Sequence, residues 1–124
     1  MANTAFFKMA EDWGLNINDQ CKLLGVGLID LEKVRKTPAQ DQNRNKLIRI
    51  RCLVMVYKYL RKNEGTLDGV SKKLREPVSD SPFFGSSPLR HMLKNGVVGI
   101  AAATKFFTGS LPELQNKPEE FDTV

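Results

Sequence analysis

The sequence holds few of the residues that catalysis uses. Its 124 residues contain one histidine, two cysteines and one tryptophan. Cys21 and Cys52 lie far apart in helical patterns, so their spacing suggests neither a disulfide nor a metal site. They read as small buried hydrophobes. His91 sits between Arg90 and Met92 in a helical stretch. Its spacing pairs it with neither cysteine as nucleophile and base, and it reads as a surface side chain. There is no P-loop, no dinucleotide fingerprint and no metal-spaced cluster. These gaps argue against an enzyme and against a resident cofactor. No apolar run is long enough to span a bilayer. The stretch "MANTAFFKMAEDWG" has no basic leading region, and acids interrupt its apolar part. It does not read as a secretory signal, so a cytoplasmic chain without a membrane partner is expected. No segment alternates as a strand would, which leaves helices.

Apolar residues are ample by contrast, at 41%, against 27% charged, so a single packed domain is expected. The net charge is +5, and it is unevenly spread. Residues 113–122 carry Glu113, Glu119, Glu120 and Asp122 against Lys117, leaving 18 basic and 10 acidic side chains elsewhere. A basic body therefore ends in an acidic segment. Such a balance permits an acidic partner without identifying one.

Helical periodicity predicts a first helix from Thr4, with Phe6, Met9, Ala10 and Trp13 on one face and Gly14 at its end. A second helix follows an Asn16 cap, carries Ile17, Gln20, Cys21 and Leu24 inward, and stops at Gly25-Val26-Gly27. A third runs from about Leu28 to Arg35, before Thr37-Pro38. The longest spans about Gln42 to Lys62. Its middle, "LIRIRCLVMVYKYL", is apolar on nearly every side, as in a helix buried all round or shared between core and subunit contact. Its basic residues, Arg44, Lys46, Arg49, Arg51, Lys58, Arg61 and Lys62, read as a solvated face. Thr66 to Arg75 forms a shorter helix presenting Leu67, Val70 and Leu74. In "FFGSSPLRHMLKNGVVGI", Ser87 caps a helix with Pro88 in its first turn, and Asn95-Gly96 supplies a left-handed stop. A last helix starts near Val97 and ends before Gly109. Gly99 with Ala101, Ala102 and Ala103 gives it a smooth side suited to close packing.

The segment "INDQCKLLGVGLIDLEKVRK" has the packing pattern of a helix-turn-helix. A DNA-reading helix should offer polar groups at its exposed start. Gly27, Leu28, Ile29 and Asp30 stand there instead. Lys33, Arg35 and Lys36 suit phosphate and come late. Gly27, Leu28, Lys33, Arg35 and Lys36 are thus weak DNA-contact candidates, and promoter DNA is a secondary partner.

Four pieces occur in order: "WGL" at Trp13–Leu15, "CKLLGV" at Cys21–Val26, "YKYLR" at Tyr57–Arg61, and the Phe83–Ile100 stretch. Together they resemble the Xre/MbcA/ParS family of antitoxins. The most specific matches are Phe84-Gly85, Ser87-Pro88-Leu89, Met92-Leu93, Gly96 and Gly99. Ser86 stands where the family has a second glycine, and Leu74 where it has a tryptophan. The resemblance implies an all-α chain: an Xre-like helix-turn-helix segment over 1–40, a long helix plus toxin-binding helices over 41–110, and an acidic flexible tail over 111–124. It implies a non-enzymatic, homo-oligomeric antitoxin of a type II pair that blocks a RES-type NAD-consuming toxin. The other reading is a stand-alone helix-turn-helix transcriptional regulator. The toxin-binding residues it implies are Phe84, Gly85, Ser87 and Pro88; Arg90, His91 and Lys94, expected on the exposed side of the same helix, are added as candidates. The acidic tail reads either as a solubilising appendage or, on the resemblance, as a blocking segment in which the carboxylates of Glu119, Glu120 and Asp122 would take the place of substrate phosphates and Phe121 would add an apolar anchor.

Overall fold

The computed structural model describes residues 2–38 and 41–113. They form six helices and no strand: α1 (Ala2–Asp12), α2 (Ile17–Leu24), α3 (Leu28–Lys36), α4 (Arg44–Glu64), α5 (Leu67–Arg75) and α6 (Pro88–Thr108). Local chemistry sets most of their ends. The Asn16 side chain accepts from the Asp19 amide at 2.7 Å, and Gly25 closes α2 in a left-handed conformation. The Thr66 and Ser87 hydroxyls cap α5 and α6 in the same way.

Three boundaries differ from the expected ones. α1 begins at Ala2, so Thr4 lies inside the helix and does not cap it. α4 begins at Arg44, with Asn43 as its cap. Gln42 serves the preceding element: its Nε2 donates to the Val34 and Thr37 carbonyls, both at 3.1 Å. Asn95-Gly96 kinks the chain but does not end the helix. Gly96 takes φ 63 and ψ −146, a region closed to residues with a Cβ, and helical geometry resumes on both sides. The kink presses the two halves of α6 together. A Cβ on Gly99 would lie 2.7 Å from the Asn95 Cβ and 2.8 Å from the His91 carbonyl oxygen, so glycine is required there.

α4 is the spine. Ile50, Cys52, Leu53, Val56 and Leu60 are buried, and α1, α2, α5 and α6 all pack against it. Much of its apolar surface is thus taken up within the chain, while Val54 and Met55 stay half-buried and Tyr59 is exposed. The small-residue stretch of α6 is only partly taken up in the core: Gly99, Ala103 and Thr104 are buried, Ala101 and Ala102 are half-buried, and the Thr104 hydroxyl lies 3.4 Å from the Cys52 carbonyl of α4 while donating to Ile100 at 2.7 Å. Two expected inward residues point outward. Ile17 and Leu67 are exposed, while Leu23 joins Leu24 in the core.

Much of the supposed solvated basic face of α4 is engaged. Arg49 reaches back to α2, donating to the Leu23 carbonyl at 3.1 Å and to Asn45 at 2.7 Å. It thereby caps carbonyls that the end of α2 leaves open. Its guanidinium occupies the space a Cβ on Gly25 would need, at 2.8 Å. Arg61 lies 3.6 Å from the Asp12 carboxylate, and Arg51 donates to the Glu113 carbonyl at 3.3 Å. Asp12 ends α1, where the helix dipole disfavours an acid. Three neighbours offset this: the Tyr57 hydroxyl donates at 2.5 Å, Lys8 stands at 3.3 Å, and Arg61 completes the set. The Tyr57 hydrogen bond, foremost, holds the Asp12 carboxyl below its ordinary value, against the opposing effect of burial. Among the described residues no helix is long and apolar enough to cross a membrane.

Candidate functional site: a cationic groove beside an exposed phenylalanine

The segment between α5 and α6 folds on itself. The Gly85 amide donates to the Val78 carbonyl at 2.7 Å, and the Val78 amide to Ser86 at 3.1 Å. Inside this closure the Phe83 and Phe84 amides both donate to the Asp80 carbonyl, at 2.9 and 3.0 Å. The two adjacent phenylalanines are thereby sent opposite ways. Phe83 is buried and meets His91 edge-on at 5.2 Å and Phe106 at 4.9 Å, pinning the loop to both halves of α6. Phe84 is 76% exposed and has φ 47, the one non-glycine residue with positive φ among those described. A bulky side chain in left-handed backbone is strained, and here the strain yields no burial.

A groove of about 610 Å³ opens beside this loop. Its walls include Gly85, Ser86 and Ser87 from the loop and cap, Arg90, His91, Lys94 and Asn95 from α6, and Arg75 from α5. Among the described residues no Asp or Glu lines it. Arg75 is held by donation to the Trp13 carbonyl at 2.6 Å and the Ser71 hydroxyl at 2.8 Å. Arg90 and Lys94 are exposed, and neither has an ion-pair partner among the described residues. His91 departs from its surface reading. It is half-buried against Phe83, and its Nδ1 lies 3.1 Å from the Asn95 amide nitrogen.

Gly85, Ser87, Arg90, His91 and Lys94 thus meet at one groove, with Phe84 on the loop that forms its wall. Pro88 is buried in the first turn of α6 and offers no outward surface. Glu119, Glu120, Phe121 and Asp122 lie outside the described residues. Among the cationic lining residues, Arg75 is the one that sequence reasoning missed, since no local motif marks it; Ser86 and Asn95 also line the groove without having been candidates.

The α2–α3 pair places the other candidates. Gly27, Leu28, Lys33, Arg35 and Lys36 are all exposed on α3. Arg35 is engaged within the fold, in an ion pair with Glu32 at 2.9 Å and over the Phe7 ring at 3.8 Å. Apolar groups stand outward at the start of α3, Ile29 at 91% exposure beside Leu28 at 64%. Base edges have little to bond there.

Among the described residues no group of three His, Cys, Asp or Glu side chains could hold a metal ion. Cys52 is buried on α4, and burial pushes its thiol pKa up. His91, on the groove wall, makes no hydrogen bond to either cysteine. What the groove can do is hold an anion: Arg75, Arg90 and Lys94 converge on it with donors to spare. No protein-family model, no curated protein and no solved structure matches the chain.

Proposed function

We propose that the chain is an antitoxin of a type II pair, a non-enzymatic inhibitor that docks a RES-type NAD-consuming toxin through the loop and groove at the start of α6. The observation that carries this reading is Phe84. A phenylalanine kept exposed at φ 47, on the loop that walls the groove of Arg90 and Lys94, costs the fold and serves nothing inside it. An aromatic group flanked by arginine is the usual anchor of a protein interface. The motif resemblance, strongest from Phe84 to Gly99, gives the partner class. In this reading Phe84, Gly85, Ser87, Arg90, His91 and Lys94 form the platform. Glu119, Glu120, Phe121 and Asp122 reach the toxin's pyrophosphate-binding groups and exclude NAD. The chain acts in the cytoplasm and as a homo-oligomer. The direct test is co-expression with the product of the neighbouring reading frame, followed by co-purification. A chain ending at Ser110 then separates platform from tail: it should still bind the toxin, but block NAD loss less well than the full chain.

A stand-alone helix-turn-helix regulator is the second reading. It is favoured by the tight left-handed turn at Gly25 between α2 and α3 and by exposed Lys33 and Lys36. It is weakened by Leu28 and Ile29 at the helix start and by the engagement of Arg35.

A further inference from the structure

The groove does not stand alone on this face. Pro82 lines both the cationic groove and a shallower recess of about 290 Å³, whose other walls are Ser81, Ala102, Lys105 and Phe106. The loop is therefore a ridge with a cationic hollow on one side and a largely apolar one on the other. Val98, 74% exposed, and half-buried Ala102 continue the second side along α6 towards Phe106. On the first side, Arg90 and Lys94 are spaced i,i+4 on one helix, a like-charge pair that repels itself. Among the described residues no acid in the groove relieves that repulsion.

We infer that this face binds an acidic–apolar peptide segment of the partner, with carboxylates in the Arg75–Arg90–Lys94 groove and an apolar side chain over the ridge in the Pro82–Phe106 recess. The inference deepens the docking reading above and rests on it only for whose segment this is. Charge complementarity fixes the first half. A carboxylate can take parallel N–H donors from Arg90 or Arg75, and the Lys94 ammonium adds a third contact. The apolar recess decides between a peptide and a nucleic acid. A phosphate backbone needs cations repeated along its path. Here the surface past Pro82 turns to Val98, Ala102 and Phe106, with Lys105 as the one cation in the recess. Alternating acidic and apolar side chains match both hollows.

The test titrates acetyl-Glu-Glu-Ala-Phe-amide into isotope-labelled full chain while backbone amide shifts are followed. The expected result is saturable shifts at Arg90, Lys94 and Asn95 together with Ala102 and Lys105. Replacing both peptide glutamates by glutamine should weaken binding at least tenfold. Replacing the peptide phenylalanine by alanine should silence the recess amides and spare those of the groove. Arg90→Glu with Lys94→Glu should abolish binding, and the milder Arg90→Ala with Lys94→Ala should weaken it at least tenfold. Lys58→Glu, a charge change on exposed α4 surface, should leave it unchanged. No saturable shift, or equal affinity for the glutamine peptide, overturns the inference. Tighter binding of hexathymidylate or inorganic phosphate also overturns it, since the site would then be a phosphate site. Binding that appears only after Glu119→Gln, Glu120→Gln and Asp122→Asn overturns it too, because the chain's own acids would be the occupant. Peptide failure alongside intact toxin capture refutes this chemistry alone, whereas loss of capture by the wild-type chain refutes the docking reading.

Discussion

Phe83 and Phe84 are neighbours in sequence with opposite roles, and substituting each in turn separates fold from function. Consider Phe84→Gly. Left-handed backbone costs a side-chain-bearing residue roughly 1–2 kcal/mol, which glycine relieves. Glycine in turn loses about 0.5–1 kcal/mol more in chain freedom on folding. With Phe84 76% exposed, the buried remainder of its ring is about 40–60 Å², or about 1–1.5 kcal/mol of burial. The three terms nearly cancel, and the net change should lie within about 1.5 kcal/mol of zero. Phe83→Ala removes a ring that is 4% exposed and packs on His91 and Phe106, which should cost about 3–5 kcal/mol. Urea denaturation of both variants reads these differences directly. If Phe84 is an interface anchor, Phe84→Gly should also weaken partner binding by about 2 kcal/mol or more, roughly thirtyfold. A Phe84→Gly variant that loses more than about 3 kcal/mol, beyond what its exposed area can supply, would refute the reasoning. So would one that binds the partner unchanged.

Three further outcomes follow from other parts of the fold. The Asp12 carboxyl is held below its ordinary value by Tyr57, Lys8 and Arg61, so its contribution is fully present at neutral pH and is lost as pH falls through the folded-state value. Asp12→Asn should lower stability at pH 7 and flatten its acid limb in pH-dependent denaturation; an unchanged acid limb contradicts the assignment. Arg49→Met should cost about 2–3 kcal/mol, because the Leu23 carbonyl and Asn45 lose a charged donor, whereas Lys58→Met on exposed surface should change stability by under about 0.5 kcal/mol; equal effects would place Arg49 on a solvated face after all. DNA binding should be weak and strongly salt-dependent, since α3 offers Lys33 and Lys36 to phosphates but Leu28 and Ile29 to bases. Selective retention of its own promoter over random DNA at physiological salt, in a mobility-shift assay, would contradict that.

What was legible in the sequence is what is decided locally. Asn16, Thr66 and Ser87 were readable at helix starts, and Gly25 and Gly109 at helix ends, because a cap acts within one turn. The same local signal misled at Thr4 and Gln42, where another start competed. Gly96 was read as a stop, because a positive φ shows that the helix bends but not whether it resumes. Residues acting across the fold were out of reach. Arg49 serves a helix more than twenty residues earlier, and Arg61 serves Asp12 at the far end of α1. Periodicity sees them only as positive charges on a helix. The groove was half legible for the same reason. Gly85, Ser87, Arg90, His91 and Lys94 belong to one short stretch, whereas Arg75 arrives from α5, held by Trp13. Phe84 could be singled out by resemblance, but its left-handed backbone follows from two amides converging on the Asp80 carbonyl. That is a property of the closed loop and not of any residue alone.

The central claim is that the loop and groove at the start of α6 capture and silence an NAD-consuming partner. The most direct measurement is NAD loss by a RES-type toxin, taken from a neighbouring reading frame if one encodes it, titrated with wild-type protein and with Phe84→Ala combined with Arg90→Glu and Lys94→Glu. These three side chains are exposed, so the variant should stay folded, with a melting temperature close to that of the wild type. The account predicts that wild-type chain abolishes NAD loss near stoichiometry, while the variant needs at least a hundredfold more protein. Equal inhibition by both chains, or continued NAD loss in excess wild-type protein, would contradict it.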